Sequence, residues 1–136
     1  WNTDRFYDLL ERSNVVMNCT PLTPLTHGMF NDEAFKHMQT SSFLINVTRG
    51  PIVDDLALVR AINEGRLAGA GLDVTSVEPL PPQHPLWKMD NVIITPHTSG
   101  GSPHRLDRWV NLVCENLRRY LDGRTLLSVI DKSKEY

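Results

Sequence analysis

Apolar residues fall along the chain in two patterns, helical spacing and short continuous runs, and the alternation between them predicts the elements. Phe6, Leu9 and Leu10 stand at i, i+3 and i+4, the spacing of one helix face, so a short helix is expected up to about Arg12, capped by Thr3 or Asp4. Residues 15–19, Val-Val-Met-Asn-Cys, form a short apolar run with β-branched members and read as a buried strand. Pro21 and Pro24 remove backbone donors, so the next residues form a loop at that strand's C-terminal end. Asn31 is placed to cap a second helix from Asp32 to about Met38, and the acidic start suits the helix dipole. Residues 42–47 read as a second buried strand, followed by a Thr48-Arg49-Gly50-Pro51 loop. Leu58, Val59 and Ile62 mark one face of a third helix, opened by Asp54 or Asp55 and closed by Gly65.

Residues 68–74 predict a third strand, in which Gly69 and Gly71 let a neighbouring backbone approach. The proline-rich stretch 78–85 excludes regular structure. Residues 91–95 predict a fourth strand, stopped by Pro96. Leu106, Trp109, Val110, Val113, Cys114, Leu117, Tyr120 and Leu121 hold the 3.6-residue period through a long helix over about 103–121. Asp122-Gly123 ends it, and residues 126–130 read as a brief strand. Strands alternating with helices predict an α/β fold with a parallel sheet of βαβ units.

Composition adds limits. The 136 residues suffice for one ordinary domain, and 40% apolar with 22% charged residues is a globular balance. A net charge of −2 with no Lys/Arg run gives no reason to expect nucleic acid as a partner. No stretch approaches the ~20 apolar residues of a membrane span, and no signal peptide is evident, so a cytoplasmic protein is expected. Cys19 and Cys114 match no zinc or redox spacing and are expected to be buried thiols. The start at Trp1, without Met, reads as the middle of a longer protein.

In open α/β sheets, ligands bind beyond the C-terminal ends of the strands. Beyond the first strand stand Thr20 and Pro21. Beyond the second come Thr48 and Arg49. Asp73 ends the third strand, with Glu78 a few residues on. Pro96, His97, Thr98, Ser99 and Gly100 follow the fourth. A cation, two carboxylates and an imidazole thus gather on one edge. Each alone has an ordinary reading: Arg49 pairing within the fold, Glu78 solvated, His97 capping or packed, Asp73 capping a turn. Together they need four coincidences. The other histidines, His27, His37, His84 and His104, are expected at the surface. The set suits reduction of a 2-oxo acid by a nicotinamide. A guanidinium holds the substrate carboxylate and polarises the carbonyl, an imidazolium gives a proton to the forming alkoxide, and a carboxylate keeps that imidazole protonated and oriented. No metal is required.

Longer motifs carry a resemblance. Residues 15–26, Val-Val-Met-Asn-Cys-Thr-Pro-Leu-Thr-Pro-Leu-Thr, are followed by Leu-Ile-Asn-Val-Thr-Arg-Gly-Pro-Ile-Val-Asp at 44–54. Then come Gly-Ala-Gly-Leu-Asp-Val at 69–74, Glu-Pro-Leu-Pro at 78–81, Pro-Leu-Trp at 85–87 and Asn-Val-Ile-Ile-Thr-Pro-His at 91–97. In this order, over nearly the whole chain, they resemble the D-isomer-specific 2-hydroxyacid dehydrogenases. The resemblance implies the second half of a Rossmann-type, doubly wound parallel sheet over residues 1–101, and a crossover helix and tail over 102–136 that returns to a substrate domain. It implies Arg49 as the substrate carboxylate ligand, His97 as acid/base and Glu78 as its partner. Asp73 would meet the nicotinamide carboxamide, Thr20 and Pro21 would line the adenosine side, and Val47, Thr48, Ser99 and Gly100 would contact the nicotinamide end, which Arg49 and His97 also border. The cofactor implied is NAD or NADP, with NAD favoured, the substrate a small 2-oxo or 2-hydroxy acid, and the parent protein a homodimer.

The first βαβ unit, with its Gly-rich phosphate turn and the residue selecting NAD or NADP, is absent from the sequence. The chain by itself is therefore expected to bind cofactor weakly and to be inactive. Its first strand, which pairs with that unit in such sheets, is expected to lie at an open edge, covered in the longer protein or by another chain. The alternative reading is a dehydrogenase-like scaffold for nucleotide sensing or protein binding, as in corepressors that share this resemblance.

Overall fold

The computed structural model of the chain describes residues 5–132. The chain divides into two compact units, Trp1–Ser99 and Gly100–Tyr136. In the first unit the elements run α1 (Phe6–Arg12), β1 (Val15–Asn18), α2 (Asp32–His37), β2 (Phe43–Asn46), α3 (Asp55–Asn63), β3 (Gly69–Leu72) and β4 (Val92–Ile94). Short 3-10 turns cover Gly50–Ile52 and Pro85–Lys88. The strands pair in the order β1-β2-β3-β4, every pair parallel. This is the α/β architecture expected from alternating elements, and β1 takes a sheet edge. Parallel pairing brings the C-terminal ends of all strands to one edge.

Successive residues of a strand point to opposite faces. Val16, Asn18, Leu44 and Asn46 are buried, whereas Val15, Met17 and Phe43 are exposed. The buried face joins Leu10, Phe35 and Leu58, each fully buried, in one core cluster with Ala70 and Leu72. The strands expected to be buried are therefore buried on one face only, because the helices of this unit cover a single face. Phe6 and Leu9 pack against the same cluster, as their helical spacing requires. At Gly69 any side chain would run into the Asn91 carbonyl, which is the close approach that the glycine in this strand suggested.

Local chemistry sets the helix ends. Asn31 Oδ1 accepts the Glu33 and Ala34 amides at 3.0 and 3.1 Å, and Asp54 Oδ1 accepts those of Leu56 and Ala57 at 3.0 Å. The end of α3 closes with the Gly65 amide donating to the Ile62 carbonyl and Arg66 to that of Ala61, the paired bonds of a Schellman cap. Arg5 precedes α1 without a side-chain cap; the expected caps Thr3 and Asp4 lie outside the described residues. Two of the surface histidines have specific partners. His37 lies 2.7 Å from Glu11 and 3.5 Å from Glu33, joining α1 to α2, and His84 Nδ1 accepts the Leu86 amide.

In the second unit α4 spans Arg105–Leu121 and none of its residues is buried. Residues 126–130 form no strand. Their backbone turns instead to a side chain: the Leu127 amide donates to Asn116 Oδ1 at 2.8 Å and its carbonyl accepts Asn116 Nδ2 at 3.0 Å. The buried thiols expected are likewise not found, since Cys19 and Cys114 are both exposed. Cys19 is the first residue past β1, and Cys114 sits on α4, none of whose residues is buried. Among the described residues no helix is long and apolar enough to cross a membrane.

Phe35 and Ile93 are both large apolar side chains, yet the first is fully buried and the second 71% exposed. Phe35→Ala is expected to cost about 3–5 kcal/mol in urea unfolding, and Ile93→Thr less than about 0.5 kcal/mol. Equal losses would contradict the one-sided core.

Candidate active site

The strand ends carry the polar residues, and each is fixed by a local hydrogen-bond pattern. Asn18 and Asn46 are the last residues of β1 and β2, are partners in register, and are 2% and 0% exposed. Asn18 Nδ2 donates to Asn46 Oδ1 and to Thr48 Oγ, both at 3.0 Å. Asn18 Oδ1 accepts the Thr20 amide at 3.1 Å and its hydroxyl at 2.7 Å. Asn46 Nδ2 donates to the Arg49 carbonyl at 3.1 Å. Thr20 and Thr48–Arg49 are thereby tied to the ends of their strands and to each other.

The Arg49 guanidinium is exposed. Its Nη1 donates to the Thr48 carbonyl at 2.8 Å, and among the described residues no carboxylate pairs with it, whereas Arg60, Arg66 and Arg119 hold Asp32, Glu64 and Glu115. The ordinary reading of Arg49 as an internal ion-pair partner is therefore not what the fold does. Gly50 follows at a contact where a side chain would collide with the Thr75 carbonyl, so this loop lies flush against the segment after β3.

That segment and the one after β4 form the other half of the edge. Asp73, 5% exposed, lies one residue beyond β3 rather than within it. Its Oδ1 accepts the Thr95 hydroxyl and the Thr98 amide, and its Oδ2 accepts the Ser99 amide at 2.8 Å. The Ser99 hydroxyl in turn donates to the Val47 carbonyl at 3.2 Å. His97 has φ 54, a left-handed conformation that costs a non-glycine residue about 1–3 kcal/mol. Its amide donates to the Asp73 carbonyl at 2.9 Å and to that of Thr95 at 3.0 Å. Its Nδ1 lies 2.8 Å from Glu78 Oε2, and Glu78 Oε1 accepts the Thr75 amide at 3.1 Å.

An ionised carboxylate only accepts, so Nδ1 carries the proton of the His97–Glu78 bond and Nε2 is left to exchange one with a ligand. With side chains 48% and 39% exposed, the pair opens on a cavity of about 410 Å³ walled by Leu80, Trp87, Ile94 and Pro96. The His97 hydrogen bond holds the Glu78 carboxyl below its ordinary value; partial burial opposes this and the Thr75 amide adds to it. For Asp73, burial pushes the carboxyl up, but hydrogen bonds from Thr95, Ser99 and Thr98 outweigh it and hold the group well below the usual carboxylate range.

Of the residues singled out in the sequence, Glu78 and His97 are thus in contact, and Asp73, Ser99 and Val47 are linked. Thr20, Thr48 and Arg49 meet through the asparagines. The Pro21 carbonyl accepts the Thr26 hydroxyl at 2.7 Å. Gly100 begins the second unit. Asn18, Asn46, Thr75 and Thr95 were overlooked. The signal for the asparagines was a polar residue at the same place, the last, in two apolar strands.

Residues 1–99 match the family described as D-isomer specific 2-hydroxyacid dehydrogenase, NAD binding domain. The chain belongs to this family. A glyoxylate reductase of Thermofilum pendens is 43% identical over 124 residues, covering 91% of this chain and 37% of its own length. The crystal structure of a D-isomer specific 2-hydroxyacid dehydrogenase from Xanthobacter autotrophicus Py2, in complex with NADPH and MES, is 40% identical with a TM-score of 0.90, over 98% of this chain and 54% of that one. That of an NADPH-dependent glyoxylate/hydroxypyruvate reductase from Sinorhizobium meliloti, with NADP and sulfate, is 30% identical with a TM-score of 0.90, over 100% and 44%. The chain therefore spans about half or less of the length of these dehydrogenases.

Both depressed carboxyls stabilise the fold when ionised. Their contribution is complete above the ordinary values of 3.8 and 4.5 and is lost as pH falls through the lower folded-state values. Asp73→Asn is expected to lower the thermal midpoint at neutral pH and to flatten its decline as the pH falls below about 4. A variant retaining the full acid-dependent decline would remove Asp73 as its source.

Proposed function

We propose that this chain supplies the chemical groups of an NAD(P)-dependent oxidoreductase interconverting a 2-oxo acid and the corresponding D-2-hydroxy acid. The observation that carries the reading is the His97–Glu78 pair, with Nδ1 and Oε2 2.8 Å apart, on the same sheet edge as an arginine that no carboxylate of the described residues neutralises. In this reading Arg49 binds the substrate carboxylate through its planar fork of donors. His97 gives its Nε2 proton to the alkoxide forming on the substrate and recovers it in the reverse direction. Glu78 accepts the Nδ1 hydrogen bond and fixes the ring. The names of the relatives make glyoxylate and hydroxypyruvate the first substrates to try.

The donor set also bears on the cofactor. Thr20, Thr48 and Ser99 offer hydroxyls along the edge, and Val47 offers a carbonyl. Such groups suit the amide and ribose of a nicotinamide nucleotide, and none supplies positive charge for a pyrophosphate. When bound, that nucleotide supplies the hydride. We assign Val47, Thr48, Ser99 and Gly100, with Arg49 and His97 beside them, to its nicotinamide end, and Thr20 and Pro21 to its adenosine side. Asp73 is assigned to the carboxamide, chiefly by holding the segment 95–99 in place, because its own oxygens are already engaged. Residues 102–136 are read as the crossover helix and tail, and the whole enzyme as a homodimer.

Oxidation of NADH and of NADPH by the protein that carries this chain, with glyoxylate, hydroxypyruvate, pyruvate and bulkier 2-oxo acids, tests the reading. Turnover is expected, and His97→Ala is expected to reduce it by roughly 10²–10⁴-fold. Cofactor binding without turnover on any of these acids would overturn the reductase reading in favour of a sensing or scaffold role.

A further inference from the structure

We propose that Asn18 and Asn46 are positioning residues for Arg49, a buried amide relay that sets the substrate-binding arginine and couples it to the Thr20 loop. The inference rests on the reading of Arg49 as the ligand of the substrate carboxylate. Its basis is the completeness of the relay. Asn18 has two N–H donors and two acceptor lone pairs. Both donors are used, on Asn46 Oδ1 and Thr48 Oγ, and both lone pairs are used, by the amide and hydroxyl of Thr20. Reversing the amide would set N–H groups against the Thr20 amide and oxygen against the Asn46 oxygen, so only one orientation is satisfied. Asn46 then receives Asn18 and the Thr48 amide on its oxygen, the latter at 3.3 Å, and directs its own N–H to the Arg49 carbonyl.

Each element has a position that the fold dictates. The asparagines are register partners at the last positions of adjacent parallel strands, on the buried face, where an unsatisfied amide would be costly. They meet that demand through the loops that follow their own strands. Those two loops carry Thr20 on one side and Thr48 and Arg49 on the other, so a displacement of either strand end is transmitted to both. The choice of amide matters chemically. An aspartate at either place would bring a negative charge to the backbone from which Arg49 projects and would compete with the substrate carboxylate for the guanidinium. Asparagine fixes the loop while leaving the positive charge of Arg49 intact.

The test uses the protein that carries this chain and compares Asn46→Ala, Asn46→Asp and Asn18→Ala, with Arg49→Lys as reference. Asn46→Ala is expected to raise the KM for the 2-oxo acid about tenfold or more, since small misplacements of a binding group carry losses of that size, and to raise the Kd for cofactor by a clearly smaller factor, transmitted through Thr48 and Asn18. Asn46→Asp is expected to be worse than Asn46→Ala, and Asn18→Ala to shift both constants. A purely structural pair would lower the thermal midpoint in all three variants without splitting KM from cofactor Kd, and that result would overturn the proposal. So would an Asn46→Asp enzyme with unchanged KM.

A second readout separates this proposal from the reading beneath it. The Arg49 Nε–H resonance in nitrogen-15 spectra reports the position of the guanidinium without any substrate. If Arg49→Lys leaves KM unchanged, the substrate-binding reading fails on its own. If the Arg49 resonance is the same in Asn46→Ala as in the parent, the positioning role fails whatever Arg49 binds. A shifted resonance together with the KM split is the expected result.

Discussion

At the end of β3 a carboxylate is almost sealed from water, and the arrangement around it governs half of the candidate site. Burying the Asp73 charge is unfavourable unless its oxygens are engaged by donors. The donors come from the Thr95 hydroxyl and the Thr98 and Ser99 amides, all from the segment that leaves the neighbouring strand. The charge can therefore be accommodated only when that segment adopts one path over it. The path carries His97 through φ 54, a conformation whose cost of about 1–3 kcal/mol persists because the amide and carboxylate bonds around it leave no alternative. Through Ser99 the same segment reaches the Val47 carbonyl of the neighbouring loop. The place of the imidazole is in this sense a consequence of solvating a different residue.

The order of elements and the edge on which the chemistry gathers were legible in the sequence because they depend on local signals. Asn31 and Asp54 cap where helices begin, prolines break the chain after strands, and short apolar runs as against the 3.6-residue period separate strand from helix. What was not legible depends on tertiary partners. Nothing in the run Val15 to Cys19 tells that a single face is covered, since an apolar strand reads the same with one layer or two. Residues 126–130 have the composition of a strand, but a strand needs a neighbour, and Asn116 supplies their backbone bonds instead. Glu78 and His97 were recognisable by type, yet their contact depends on how the proline-rich segment folds back to β4. Asn18 and Asn46 sit in the motifs that carry the family resemblance, but an asparagine at a strand end has too many ordinary explanations to stand out before its partners are seen.

Three charged groups on this edge are handled in three ways, and the differences follow the work each is suited to. Asp73 is saturated with donors and is the least available to a ligand. Glu78 shares one oxygen with the Thr75 amide and the other with His97, so it acts on the proton of the ring while staying in place. Arg49 keeps its donors in solvent apart from one turned to the Thr48 carbonyl.

The two halves of the edge are held by networks of opposite electrical character, and this bears on what each half can bind. The segment bearing His97 is anchored on a carboxylate, with a second carboxylate on the ring. The loop bearing Arg49 is anchored on neutral amides and hydroxyls, and an anion there would pair with its guanidinium. If the anchors were exchanged, an amide in place of Asp73 would set an N–H group against the Thr98 or Ser99 amide, and a carboxylate in place of Asn46 would lose the donor to the Arg49 carbonyl. A carboxylate there would also pair with the guanidinium before any ligand arrived. Hydrogen bonding and charge together therefore assign each anchor to its own half of the edge.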